Sequence, residues 1–249
     1  HDEFSNVASR IIEKVGKKLA PSFFFIDPFG FKGVPFTVIK NLLDIPRVEV
    51  FITFMVRDVN RFLESSKHRI SIEELYGMKN VLDVLEKNYS NLPREQALLK
   101  LYRDRLHLEA KVKYTFPFKV CADERLQTTY YLIHATNHPK GCELMKEIMY
   151  RSGTKGRFGY LGPAEGQMSI TSYAGVKELE EYLFKKFQGR KLSYRDVRYE
   201  TLMDTGFVRQ HYREALLNLE SQGKIFIEGK GPRGGLREES LIIFSKQII

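Results

Sequence analysis

The residues best suited to chemistry in this sequence lie in one short run, Asp27-Pro28-Phe29-Gly30. The Asp27 carboxylate and the carbonyl of Pro28 can accept hydrogen bonds from an amino group, and Phe29 can form a wall beside the planar group that carries it. Hydrogen bonds of this kind leave the nitrogen lone pair aimed at a methyl donor. The run therefore predicts methyl transfer to an amino nitrogen, with Asp27 and Pro28 orienting the acceptor.

The run matches the motif of amino-methylating enzymes only in part. Those enzymes place Asp or Asn, two prolines and Tyr or Phe at the end of a strand. Here Phe29 occupies the position of the second proline, and Gly30 stands where the stacking ring belongs. Because Asp-Pro is also common in turns, an ordinary turn is the alternative interpretation.

The segments around the run indicate a parallel α/β sheet. Residues 22–26 form an apolar run of strand length, which predicts a strand buried on both faces. A helical pattern at 36–43 and a second apolar strand at 48–56 follow after short connections, as in a parallel pair joined by a crossover helix. Ligands of open α/β sheets bind at the carboxyl ends of such strands, where Asp27 is expected.

The other elements within residues 1–150 complete one α/β domain. The spacing of apolar residues predicts an amphipathic helix over 5–19, a helical insertion over about 58–110, hairpin strands at 112–120 and 128–135, and a helix from Pro139 to about Tyr150.

The C-terminal third carries a different pattern. Residues 151–173 are rich in glycine and have no apolar period, so we interpret them as a linker. Residues 174–249 contain three predicted helices followed by two strands, an order typical of a winged helix-turn-helix domain. The helices are predicted at 176–187, 194–203 and 207–222, and the strands at 224–228 and 240–244.

The third of these helices predicts a nucleic-acid interface. Its outward side chains near the N-terminal half would be Arg209, Gln210 and Arg213, which is the set that such a helix presents to a major groove. Its apolar positions predict a buried face formed by Val208, Tyr212, Ala215, Leu216 and Leu219.

The loop between the last two strands would form the wing, with Lys230 and Arg233 contacting phosphates or the minor groove. A formal net charge of +9 also favours a polyanionic partner. Residues 174–249, however, hold 14 basic and 11 acidic residues, which is not a heavy excess. A module for dimerisation or packing, with solvated arginines, is therefore the alternative.

The same loop contains the spacing G-x-G-x-x-G, from Gly229 to Gly234. As a dinucleotide fingerprint this spacing needs a strand before it and a helix after it, so that the helix N-terminus meets the pyrophosphate. A strand is predicted on both sides here. We therefore interpret the loop as the tip of a hairpin.

Histidine and cysteine recur at steps of four residues, as His134, His138 and Cys142. Because a strand and a turn are predicted here, rather than one helix, a structural role is favoured over zinc binding. The chain has two cysteines, too few for a disulfide framework, which is typical of a reducing compartment. With no signal-peptide pattern and no apolar stretch near the ~20 residues of a membrane span, we expect a soluble, cytoplasmic protein.

Several longer segments carry a family resemblance. They are residues 23–36 around the Asp-Pro run, residues 49–62 ending in Met-Val-Arg-Asp-Val-Asn-Arg-Phe, residues 130–141, and the C-terminal segment 207–213 with the late Gly-Gly-Leu at 234–236. Together they resemble the three-Cys-motif partner family, TcmP. The resemblance implies a Rossmann-like, S-adenosylmethionine-dependent methyltransferase domain followed by a winged helix. It also implies a partner protein with a three-cysteine, radical-enzyme-like motif.

The resemblance implies a cofactor site that this sequence carries only in part. Members of the family hold the cofactor with an Asp-Gly-Phe-Ala-Gly-Pro-Gly type loop and a second acidic residue, and neither occurs in this sequence. Residues 1–4 resemble the motif on the adenine side, which implies that Asp2 and Phe4 contact the base of S-adenosylmethionine. The chain starts at His1, and we expect the N-terminal strands of the sheet to be missing from it. They would come from the full protein or from another chain, or the activity has been lost. A non-catalytic, nucleic-acid-binding or scaffolding role toward the partner is the alternative function.

Overall fold

The computed structural model describes residues 4–15, 19–122, 127–153, 159–160 and 174–246. The helices are α1 (Phe4–Val15), α2 (Phe36–Leu43), α3 (Val56–Phe62), α4 (Arg69–Tyr76), α5 (Val81–Asn88), α6 (Arg94–Leu108), α7 (Pro139–Ser152), α8 (Ala174–Phe187), α9 (Tyr194–Glu200) and α10 (Arg209–Ser221), with a short 3₁₀ turn at Ser66–His68. The strands are β1 (Ser22–Ile26), β2 (Val48–Phe54), β3 (Tyr114–Ala122), β4 (Gln127–Thr136), β5 (Gly159–Tyr160), β6 (Lys191–Ser193), β7 (Ile225–Glu228) and β8 (Leu241–Phe244).

The larger sheet has five strands in the order β1-β2-β4-β3-β5. The pairing of β1 with β2 is parallel, with Ser22 opposite Val48 and Ile26 opposite Ile52, which confirms the predicted parallel pair. Strand β4 runs antiparallel to both β2 and β3, so the predicted hairpin is also confirmed. The sheet is therefore mixed, and the carboxyl ends of β1 and β2 lie at the same edge.

One face of this sheet is covered by helices from the first half of the chain. Helices α2, α3 and α6 contact its strands, and apolar side chains from every layer form a continuous core. Within it Phe54 stacks on Tyr102 with ring centroids 4.7 Å apart, and Tyr76 meets both rings edge-on. This packing explains why the alternate residues Val50 and Ile52 of β2 are fully buried.

The opposite face is covered only in part, and this corrects the prediction for β1. The strand was expected to be buried on both faces, but Phe23 and Phe25 are 51% and 57% exposed, whereas Ile26 is buried. The reason is its place in the sheet: β1 has a neighbour on one side only among the described residues, and α7 packs over β3 and β4. An apolar run of strand length cannot reveal from its own residues whether a second layer is present.

The C-terminal part folds around its own apolar cluster, to which α8, α9, α10 and the small sheet contribute. That sheet has three strands in the order β6-β8-β7, so the predicted two-stranded sheet was wrong by one strand. Strand β6 was missed because it is only three residues long, which is too short to show an alternating pattern. The five predicted apolar positions, four in α10 and the fifth its N-cap Val208, are all buried, as expected.

Gly159 and Tyr160, within the segment interpreted as a linker, pair with Lys119 and Val120 at the edge of the larger sheet. No helix in the described ranges has the length and apolar character required to cross a bilayer.

Candidate functional site

The Asp-Pro run lies where the sheet edge would place a ligand. Asp27 follows the last residue of β1 directly, and its side chain is exposed to solvent. Gly30 has a left-handed φ of +85°, and a Cβ atom added to it would lie 4.0 Å from the Asp58 carboxylate in the first turn of α3. Because α3 follows β2, the loop after β1 and the helix after β2 meet at the shared carboxyl edge of the parallel pair.

The aromatic residue of the run is fully exposed. Phe29 shows no burial, whereas Phe31, two residues later, is 6% exposed and contacts the rings of Phe62 and His68 at centroid distances of 5.9 Å. The buried ring fixes the loop, and the exposed ring is left available for stacking. An exposed carboxylate beside an exposed ring can bind a planar group that carries an amine.

A groove of about 460 Å³ lies beside this edge, on the open face of the sheet. Its lining is almost entirely apolar: Phe23, Phe25, Phe51, Phe118, Leu132, Met145, Ile148, Met149 and Ser152. Phe25 is two residues before Asp27, so the groove approaches the Asp-Pro run from β1. Apolar walls of this kind suit a flat or aliphatic group and offer no charged residue to it.

The histidines singled out in the sequence do not form one site. His134 is fully buried and its Nε2 lies 2.8 Å from Glu49 Oε2, whereas His138 is exposed. Hydrogen bonding to His134 is the main reason why the pKa of Glu49 lies below its ordinary value. Across the part of the chain that the structure describes, no three metal-binding side chains come together.

The predicted outward residues of α10 are exposed, but they are not equivalent. Gln210 and Arg213 face solvent. Arg209 is 44% exposed, and its guanidinium forms an ion pair with Glu238, which lies just before β8. Two of the three predicted contact residues are thus presented to solvent, while the third already bonds to a carboxylate.

The wing loop connects β7 to β8, so the G-x-G-x-x-G spacing is a hairpin tip, as predicted. Gly229 and Gly234 have φ values of +73° and +69°, which a residue with a side chain adopts only with strain. Arg233 is exposed at the tip, and Lys230 forms an ion pair with Glu220 of α10. The two wing residues therefore differ in the same way as the helix residues: Arg233 faces solvent, whereas Lys230 already bonds to a carboxylate.

The winged part is joined to the larger sheet by buried charges on α7 and α9. Lys146 of α7 is 1% exposed and donates hydrogen bonds to the carbonyls of Leu202 (3.0 Å) and Thr205 (2.8 Å), in the turn before α10. Burial lowers the pKa of Lys146 to about 8. Arg198 of α9 is also 1% exposed and bonds to Glu143 of α7 at 2.6 Å.

These buried charges were not identified from the sequence, although a signal for them was present. Lys146 follows Cys142 by four residues and precedes Met149 by three, which places it on the buried face of α7. Arg198 stands in the same relation to Tyr194 of α9 and to Thr201, the C-cap residue of that helix. A cation at a core position of a helix predicts a buried partner, because an unpaired charge there is costly.

The predicted cofactor residues are not placed by this structure. Asp2 lies outside the described residues, and the side chain of Phe4 lies outside them as well.

Comparison with known proteins shows a similarity in the C-terminal part of the chain. Residues 164–231 are similar to the family described as the GMT-like wHTH domain, which covers α8 through β7 and the first part of the wing loop. No curated protein and no solved structure matches the chain. The C-terminal part of the protein is therefore a winged helix-turn-helix domain, a class of module that points to nucleic-acid binding.

Proposed function

We propose that the protein binds nucleic acid through its winged helix. The observation that carries the proposal is the common exposure of Gln210, Arg213 and Arg233 on the helix and wing of a domain similar to the GMT-like wHTH family. Gln210 and Arg213 would read base edges, since amide and guanidinium groups pair with adenine and guanine in the major groove. Arg233 and Lys230 would contact phosphates. The positive net charge of the chain supports association with a polyanion.

The proposal is tested by measuring the affinity of the full chain for labelled duplex DNA, single-stranded DNA and RNA at several salt concentrations. Changing Arg213→Ala together with Arg233→Ala should weaken binding, because a base contact and a phosphate contact are lost, and the loss of the phosphate contact of Arg233 should reduce the salt slope by about 1. The matched control is Lys177→Ala with Lys185→Ala, two exposed lysines of α8. An Arg213→Ala, Arg233→Ala protein that binds as tightly as wild type would reassign the module to protein contacts, and equal losses in both double variants would assign the binding to general charge instead of to the helix and wing.

A second candidate function is methyl transfer to an amino nitrogen at the end of β1. It is favoured by the position of Asp27 after a strand of a parallel pair, by the full exposure of Phe29 and by the groove next to Phe25. Asp27 and the Pro28 carbonyl would orient the amine, Phe29 would form one wall, and Gly30 would allow the turn. A base presented by the winged helix would then be the acceptor.

S-adenosylmethionine is the cofactor that this candidate requires, and it would supply the methyl group. The proposal assigns Asp2 and Phe4 to the base of the cofactor, by resemblance. The sequence lacks the family's glycine loop, so the residues present do not hold the cofactor by themselves. Further strands would have to continue a Rossmann-like sheet at β1.

Titration with S-adenosylmethionine separates the catalytic proposal from a non-catalytic one. A scaffold that holds a three-Cys-motif partner on nucleic acid predicts no cofactor binding but co-purification with that partner. If the full protein binds the cofactor, Asp27→Ala should abolish methyl transfer while the dissociation constant of the cofactor stays the same. Transfer that persists in the Asp27→Ala protein would exclude Asp27 from the reaction.

A further inference from the structure

The N-terminus of α10 is in direct contact with α7. The backbone N–H of Arg209 donates a hydrogen bond of 3.0 Å to Glu147 Oε1. One turn further along α7, the Tyr150 hydroxyl lies 3.2 Å from His211 Nε2, and the two rings meet edge-on at 5.1 Å. His211 Nδ1 in turn accepts from the backbone N–H of Val208. The end of the helix that would approach a nucleic acid therefore faces α7.

The side chain of Arg209 is also bound by a carboxylate. Its partner Glu238 accepts a second hydrogen bond, of 2.7 Å, from buried Arg198, and Arg198 is held by Glu143 of α7. A chain of four side chains that are alternately negative and positive thus runs from α7 to α10: Glu143, Arg198, Glu238 and Arg209. Through them α7 determines where Glu238 and Arg209 lie.

Both carboxylates occupy positions that suit a phosphate. Free N–H groups at a helix N-terminus bind phosphates, because the helix dipole is positive there. Arginine pairs with phosphate in the same way as with carboxylate. In a helix-turn-helix the N-terminal residues of the second helix contact the base edges, which requires that end of the helix to be accessible.

We propose that α7 is an autoinhibitory element for the winged helix. Glu147 and Glu238 occupy the phosphate positions at the start of α10, so nucleic acid that binds this end of the helix competes with the closed arrangement. This inference rests on the proposed nucleic-acid binding. Because only the open form is competent, the apparent dissociation constant is the intrinsic one divided by the open fraction. The contact of Glu147 with α10 is the one that nucleic acid displaces, since the side chain of Glu147 remains 20% exposed whereas Lys146 is buried.

The first experiment compares two single-charge variants of the full chain. Glu147→Ala removes the acceptor at the helix N-terminus, and Glu181→Ala removes an exposed acid on α8 that lies outside this contact. Both change the net charge equally, so a general electrostatic gain is the same. With a labelled mixed-sequence DNA duplex, Glu147→Ala should bind at least about five-fold more tightly than Glu181→Ala. Equal affinities would overturn the autoinhibitory role and leave nucleic-acid binding intact.

The second experiment locks the closed arrangement. Tyr150→Cys with His211→Cys places two thiols across the contact, and a short bismaleimide can link them, since the native Cys121 and Cys142 are buried. The linked protein should lose at least ten-fold in affinity relative to the unlinked double variant. A linked protein that binds as tightly as the unlinked one would overturn the inference. Absence of binding by every protein, wild type included, would instead overturn the proposed function together with this inference.

Discussion

Phe29 and Phe31 are separated by one glycine, yet Phe29 is fully exposed and Phe31 is buried in the core. The loop after β1 therefore has one ring that stabilises the fold and one that does not. Gly30, with its left-handed backbone, lets the two rings point in opposite directions. The Asp-Pro run can thus be altered without loss of the fold, which makes it open to direct test.

We expect Phe29→Ala and Asp27→Ala to change the free energy of unfolding by less than about 0.5 kcal/mol, because both side chains are exposed. Phe31→Ala should cost about 3 kcal/mol or more, since it leaves a cavity beside Phe62. Urea denaturation followed by circular dichroism measures all three values. A loss above about 1 kcal/mol in Phe29→Ala would show that the exposed ring has a structural role instead.

The pH dependence of stability should report on Lys146. Burial lowers its pKa to about 8 in the folded protein, against about 10.4 in an unfolded chain. Between these values the unfolded state binds more protons, so the contribution of Lys146 to stability rises with pH. From pH 8 to pH 9, wild type should gain about 1 kcal/mol relative to Lys146→Met.

The matched control for this measurement is Lys177→Met, an exposed lysine of α8. Its difference from wild type should stay constant over the same pH range. Ionisation of buried groups, such as the Cys142 thiol whose pKa burial raises to about 12, affects all three proteins and largely cancels in the differences. A flat difference for Lys146→Met would mean that the amine is more hydrated than its burial indicates.

Acid stability should depend on Glu49. The hydrogen bond from His134 lowers the pKa of Glu49, so this hydrogen bond stabilises the fold above the unfolded pKa of Glu49, and the stabilisation is lost as the pH falls through the folded pKa. At neutral pH Glu49→Ala should lose about 2 kcal/mol, because fully buried His134 loses its partner and its Nδ1 has no partner among the described residues. The difference between the variant and wild type should begin to shrink below the unfolded pKa of about 4.3 and should continue to shrink as the pH falls through the lower, folded pKa. The exposed Glu74→Ala serves as control, and a loss that does not vary with pH would assign the effect to packing.

The sequence predicted the elements better than their surroundings. The helix after Pro139 and the third helix of the winged domain were found because their apolar spacing is regular over three turns. The parallel pairing of β1 was found because a short helix separates two apolar runs. The exposure of Phe23 was not predicted, because exposure depends on a covering layer that the residues of the strand do not encode.

The contact between the two parts of the chain could not be predicted from local sequence patterns, for a different reason. Glu143 and Arg198 are 55 residues apart in sequence, and each is an ordinary charged residue in its own helix. Only the packing of α7 against α9 makes them partners. The same applies to Glu147, whose role at the start of α10 depends on where the helix of another domain lies. Spacing predicts faces of helices, and it does not predict which faces meet.

Arg198 and Glu143 form a buried ion pair between the two parts, with side chains only 2% and 8% exposed. Burial disfavours the charged guanidinium, but the hydrogen bonds to Glu143 and Glu238 outweigh it and hold the pKa of Arg198 above its ordinary value. We expect Glu143→Leu to cost about 3 kcal/mol, because it leaves a buried charge with one partner fewer. Adding Arg198→Leu should recover part of that loss, giving a coupling of about 2 kcal/mol in a double-mutant cycle.

The exposed pair Arg190 and Glu200, at 2.9 Å, is the control and should couple by less than about 1 kcal/mol. Equal coupling for the two pairs would mean that α7 and α9 separate readily, and that the charge relay to Arg209 contributes little to the closed arrangement.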